Sequence, residues 1–165
     1  MSTKSQPAAS RPYMPGYGVK ETRKGLLPWS WAKQRLEKSH NYWISTSRPD
    51  GSPHLMVIWG LWLDGTFLFS TGDQSRKGKN LAHNPRCVIG TEKAHEAVVV
   101  EGMVEVNHDP RLRKKFNRLY QEKYKWDMST FSDPVHVLRP HLAFGLYEKD
   151  FLGKVTRWKF RAGAS

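Results

Sequence analysis

Residues 70–85 read Ser-Thr-Gly-Asp-Gln-Ser-Arg-Lys-Gly-Lys-Asn-Leu-Ala-His-Asn-Pro, and they hold the densest chemistry in the chain. Ser75, Arg76, Lys77, Lys79 and Asn80 fall within six positions, shortly after the apolar run Phe67-Leu68-Phe69. Asp73 or Ser75 can cap a short helix that Pro85 stops near His83. Free amide hydrogens and the positive end of the helix would then face the end of a strand. Arg76 and Lys77 would add a forked donor and a point charge at the same spot. A phosphate is the simplest guest, and a merely solvated basic turn is the competing reading. Neither Gly-x-x-x-x-Gly-Lys-Ser/Thr nor a Gly-x-Gly-x-x-Gly after a strand is present, so ATP or NAD held in those ways is not expected.

Other reactive residue types point less clearly. Seven Trp, with Trp59 and Trp62 close together and Trp158 near the C-terminus, suit a planar heterocycle or a plain core. Trp59 and Trp62 stand an odd number of positions apart, so on one strand they point to opposite faces. The seven His show no ligand spacing, and no metal is expected. Cys87 is alone, which excludes an internal disulfide and suits a reducing compartment. No Gly-x-Ser-x-Gly elbow occurs.

The elements that must position these residues follow from periodicity. Residues 1–25, rich in Ser, Pro, Gly and Lys, read as a flexible arm or as a segment ordered only by packing on a partner. A short helix is predicted from Leu27-Pro28-Trp29-Ser30 to about Ser39, with Trp29, Ala32 and Leu36 on one face. Strands are predicted over 41–47, 54–63, 66–71, 86–91 and 97–107, the last bulged at Gly102. This meander suggests a barrel. Asp109-Pro110 opens a helix whose Leu112, Phe116, Leu119 and Tyr120 form a buried stripe and whose remainder is basic. Closing strands are predicted over 135–138, 142–147 and 156–160, with a break at Pro140.

Bulk properties narrow the partners. With 165 residues and 38% hydrophobic content, one compact domain is expected. Twenty-seven Lys plus Arg against fifteen Asp plus Glu leave a net charge of +12, which favours polyanionic partners. The basic helix could track a phosphate backbone, but a solvated outer face explains it equally well, and no base-reading module accompanies it; nucleic acid is not the expected partner. The first ten residues carry no apolar signal core, and no apolar run approaches the roughly 20 residues of a membrane helix. A soluble, cytoplasmic protein without membrane contact is expected.

The ordered pieces SPHLMVIWGLWLDG, FLFSTGDQSRKGKNLAHNPRCVI and VVVEGMVEV, then a basic helix and a terminal TRWKF, resemble the split-barrel flavin and deazaflavin oxidoreductases related to pyridoxamine 5'-phosphate oxidase. The resemblance covers about residues 26–161. Its most specific pieces are Ser75-Arg76-Lys77, Asn80-Leu81, Asn84-Pro85 and Thr156-Arg157-Trp158. It implies a mainly β (α+β) fold: a six-stranded antiparallel split β-barrel with a few flanking helices, homodimeric, with the cofactor in a groove between subunits. Ser75, Arg76 and Lys77, with Asn80 nearby, would hold the cofactor phosphate. His54, Met56 and Val57 would run beside the ring system, with Trp59 near it, and Ser70 and Thr71 would donate hydrogen bonds. Arg157 and Trp158 would come from the other subunit.

Pyridoxamine phosphate oxidases grip their substrate with an Arg-x-His near the C-terminus, and here the stretch reads Arg157-Trp158-Lys159. The TRWKF ending and the PHLMVIWGLW strand look more like the branch that uses the deazaflavin coenzyme F420, whose acidic tail suits a basic protein. The function this implies is hydride transfer between F420 and a small unsaturated or heterocyclic organic molecule. FMN-dependent chemistry, or a non-catalytic cofactor-binding role, is the alternative.

Overall fold

Buried and exposed side chains alternate along Tyr42–Ser47 and Arg86–Thr91, so each segment buries one face and pairs at its edges. The structure, a computed structural model, describes residues 6–161. In chain order it runs β1 (Ala8–Ser10), α1 (Trp29–Lys38), β2 (Tyr42–Ser47), β3 (Pro53–Ile58), β4 (Leu61–Leu63), β5 (Thr66–Ser70), α2 (Arg76–His83), β6 (Arg86–Thr91), β7 (Glu96–Asn107), α3 (Pro110–Tyr124), β8 (Val135–Tyr147), α4 (Phe151–Lys154) and β9 (Thr156–Lys159). Among the described residues the strands join in one antiparallel, nine-stranded sheet whose main path is β1-β9-β8-β7-β6-β2-β3. The long β8 divides its free edge: Val135–Leu138 pairs with β5, which also pairs with β4, while Leu142–Gly145 pairs with β9. This is the split barrel the resemblance implies, with few helices and a mainly antiparallel sheet.

Three details differ from expectation. The single strand predicted over 54–63 breaks into β3 and β4, because a Cβ at Gly60 would lie 2.3 Å from the Phe67 ring and the chain can turn there only without one. Pro140 does not break its strand. It pairs with Gly102 at the register shift of β7, where the ladder already lacks a regular bond, so β8 continues through it. Within the predicted flexible arm, Ala8–Ser10 pairs with β9, and Arg11 donates to the carbonyls of Thr22, Lys24, Gly153 and Val155. Residues 1–5 of that arm lie outside the described residues. With these changes nine strands stand among the described residues where six barrel strands are expected.

Two apolar clusters hold the sheet. The barrel interior joins Ala32 and Leu36 of α1 to Tyr42, Ile44, Phe67, Phe69, Ile89, Val98, Val100 and Leu138. The stripe of α3, capped by Asp109 with Pro110 at its first turn, buries Phe116, Tyr120 and Tyr124 against Leu61, Leu68, Val135 and Val137. Among the described residues no helix is long and apolar enough to cross a membrane.

His136 on β8 is 4% exposed, its ring is stacked on Phe69 and its Nδ1 has no partner. Burial holds its pKa below the ordinary 6.5, against the nearby Pro134 backbone and the Asp73 and Asp133 carboxylates, which pull it upward. Unfolding therefore takes up a proton that the folded chain refuses. Stability is fully present above pH 6.5 and falls as the pH drops through the lowered value. His136→Phe keeps the stack, so its thermal midpoint is expected to decline less than the wild type's between about pH 6.5 and 5. Parallel declines in the two proteins would count against this account.

Candidate functional site

The corner after β5 is built by local capping. The Ser75 side chain accepts from the Gly78 amide at 3.0 Å and shares a 2.9 Å hydrogen bond with the Thr71 hydroxyl. The first bond of α2 runs from the Lys79 amide to the Ser75 carbonyl, so the amides of Arg76 and Lys77 stand ahead of the intrahelical ladder. Gly78 lets this turn close: a Cβ there would lie 2.4 Å from the Gly72 carbonyl oxygen. The helix start is thereby pressed onto the end of β5, with its positive pole at Thr71 and Ser75.

A second element meets the corner. The Asn80 amide, on a residue with no exposed surface, donates to the Thr46 hydroxyl at 2.9 Å and so ties α2 to β2. Thr46 pairs with His54 across the β2–β3 ladder. Two buried polar atoms here have no partner, Asn80 Oδ1 and His54 Nδ1. Partial burial lowers the His54 pKa, and the cations Arg48, Lys77 and Arg76 lower it further. The charges that lower it are positive, and an anion at this corner would offset them. Arg48 is itself held over the hairpin by bonds to the Ser52 hydroxyl and the Pro53 carbonyl.

Of the residues the sequence singles out, His54, Thr71, Ser75, Arg76, Lys77 and Asn80 gather at this corner. Met56 and Val57 lie beside it on β3, each 46% exposed. Among the described residues no strand pairs with the other edge of β3, so its main-chain groups are open there. Ser70 is engaged by the Pro134 carbonyl. Trp59 turns away: its ring stacks on Tyr124 with centroids 4.7 Å apart, and its Nε1 donates to Asn41. Arg157 lies on β9, bonded to the Ser10 hydroxyl. Trp158 is wholly buried in the barrel core, edge-on to Trp29. Arg48 and Thr46 are the functional candidates the sequence reading missed. Arg48 reads there only as part of a turn, and nothing local shows that the turn lies against α2.

The remaining reactive groups offer less. Burial pushes the Cys87 thiol up to about 12, so it is no nucleophile at neutral pH. Among the described residues no group of three His, Cys, Asp or Glu could hold a metal ion. A cavity of about 220 Å³ between α1 and the β6–β7 turn lies away from the corner, and its carboxylates are committed: Glu92 to His40 and Asn41, Glu96 to Arg35.

Comparison with known proteins agrees with this architecture. The family described as pyridoxamine 5'-phosphate oxidase matches residues 31–144. Among solved structures, an F420 reductase aligns with a TM-score of 0.56 at 23% identity, over 67% of this chain and 94% of its own. A conserved hypothetical protein from Mycobacterium tuberculosis aligns with a TM-score of 0.66 at 18% identity, over 88% and 98%. A heme binding protein from Mycobacterium smegmatis gives 0.59 at 17% identity, over 78% and 62%. No curated protein sequence matches the chain.

Proposed function

Because the chain belongs to the pyridoxamine 5'-phosphate oxidase family, we propose that it is an oxidoreductase that seats a phosphate-bearing ring cofactor along β3, coenzyme F420 first and FMN as the alternative. The observation that carries this reading is the cationic corner. Arg48, Arg76 and Lys77 act together on His54, beside the Thr71–Ser75 hydroxyl pair and the first amides of α2. A phosphoryl group would exchange their hydration for charge-assisted bonds. The open edge of β3 runs on from that anchor, offering main-chain donors and acceptors to the polar margin of a flat ring and exposed Leu55, Met56 and Val57 to its faces. When bound, the ring supplies or takes hydride; the chain's own part is to anchor, orient and shield it.

Two features favour the deazaflavin. The net charge of +12, with Lys20, Arg23 and Lys24 exposed near β1, complements an acidic tail. Where the vitamin oxidases carry Arg-x-His, Trp158 is in the core and Lys159 takes the histidine position, so the grip on a pyridoxamine substrate is missing. A small unsaturated or heterocyclic organic molecule is the proposed hydride partner, and a cytoplasmic location belongs to the same proposal.

A homodimer completes the reading. One row of the outer sheet face runs in register from Val57 through Trp43, Gly90, Val99 and Phe144 to Arg157. Trp43 and Val57 are each 46% exposed, and a Cβ on Gly90 would meet nothing within 4 Å, which leaves a hollow between large neighbours. A two-fold contact along this row would bring Arg157 of one copy towards the β3 edge of the other.

Titrating the purified protein with F420, FMN, FAD and haem, followed by fluorescence and absorbance, tests the cofactor. Saturable F420 binding with weak or absent FMN binding is expected. Tight FMN binding alone would shift the cofactor, and haem binding alone would overturn the oxidoreductase reading.

A further inference from the structure

The β3–β4 break leaves a peptide with no ladder partner, and α3 supplies one. The Gly60 amide donates to the Tyr124 hydroxyl at 2.9 Å. That hydroxyl lies 2.9 Å from the His40 carbonyl and 2.8 Å from the Gly60 carbonyl, either of which it can donate to. Lys123 Nζ also donates to the Gly60 carbonyl, at 3.1 Å, and to the Tyr42 hydroxyl at 2.9 Å. The simplest complete assignment gives Lys123 to Gly60 and the Tyr124 proton to His40, so each buried group is satisfied. The flat face of Tyr124 stacks on Trp59, 8° from parallel, and Trp59 in turn bonds Asn41. Burial raises the Tyr124 phenol far above its ordinary range, so it stays protonated and keeps its donor.

One phenol thus joins the last turn of α3, the entry to β2 and the exit of β3. Gly60 cannot yield by acquiring bulk, since Phe67 and the Leu68 carbonyl already fill the space above it. The open edge of β3 begins two residues before this junction, with Ile58 paired to Tyr42 and Trp59 locked on the Tyr124 ring. We infer that Tyr124 is a positioning residue for the ring-bearing strand: its hydroxyl substitutes for the missing ladder at Gly60 and so sets where the free edge of β3 meets a cofactor. The inference rests on the proposed seating of a ring along β3. It places the anchoring of the phosphate at α2 and the alignment of the ring at α3, two separable tasks.

The separation gives the test. In the full-length Tyr124→Phe variant the stack is kept and the hydroxyl lost. Amide exchange in peptides covering 54–61 should accelerate about tenfold or more. Affinity for F420, or for FMN if that is the ring the wild type binds, should fall about tenfold, while affinity for inorganic sulfate, read by calorimetry, stays within twofold. Tyr120→Phe removes a phenol from the same face of α3 without touching Gly60, and it should leave both measurements as they are. Unchanged exchange over 54–61, or equal loss of ring and sulfate affinity, would overturn the inference. If the wild type bound no ring cofactor the functional reading would fail, yet exchange in the unliganded protein would still decide the role of Tyr124 at Gly60.

Discussion

Replacing Arg76 and Lys77 together by Ala weakens binding of the phosphate-bearing cofactor at least about a hundredfold, with the fold intact. Each charge-assisted bond to a phosphoryl group is worth about 1.5–3 kcal/mol, and the lower figure is apt because Arg76 is exposed. Two such bonds lost together give a factor of about 10² or more. Stability should hold because α2 is capped by the Ser75 side chain and tied down through Asn80, neither of which is altered. Cofactor titration and thermal melting on the same preparation check the two halves. Retention on immobilised polyanion should change little, since the basic face of α3 is untouched. A variant that binds the cofactor as tightly as wild type would remove the phosphate assignment, and with it the main support for the proposed chemistry.

The second large effect is on stability. Trp158→Ala empties a site with no exposed surface, where the indole lies edge-on to Trp29 at 5.4 Å, and Trp29 in turn meets Phe160 and Trp62. Gly145 on β8 is shaped to this ring, for a Cβ there would come within 2.5 Å of it. Truncations of this kind cost about 3–5 kcal/mol. At about 2–4 °C per kcal/mol for a chain of this size, the thermal midpoint should fall by roughly 10 °C. Trp158→Phe should lose much less, because it keeps a flat ring and removes an indole N–H that has no partner. Normal melting of the Ala variant together with lost cofactor affinity would instead return Trp158 to the binding site.

The Arg76–Lys77 pair and Trp158 mark where reading from sequence succeeds and where it stops. Ser75 as a cap, Pro85 as a stop, Asp109-Pro110 as a helix start and Gly102 as a bulge are all legible, because each is decided by bonds within a few residues. Alternation locates most strands for the same reason. The Arg-Lys pair at the helix start is likewise a local fact, so the anchor for an anion could be named in advance.

What surrounds the anchor could not. Arg48 and Thr46 reach it only because the β2–β3 hairpin packs on α2, a contact between segments about thirty residues apart that neither segment encodes. Trp59 and Trp158 suit a planar ring or a plain core, and only the pairing register, with the break at Gly60, turns one onto Tyr124 and the other into the core. Pro140 reads as a strand end until the bulge opposite it supplies the missing tolerance. By itself the sequence determined the caps of α2 and α3, most of the strands and the place of positive charge, all of them short-range. The tertiary structure alone decided which side chains share a space, because a strand's register and a helix's docking face depend on partners far along the chain.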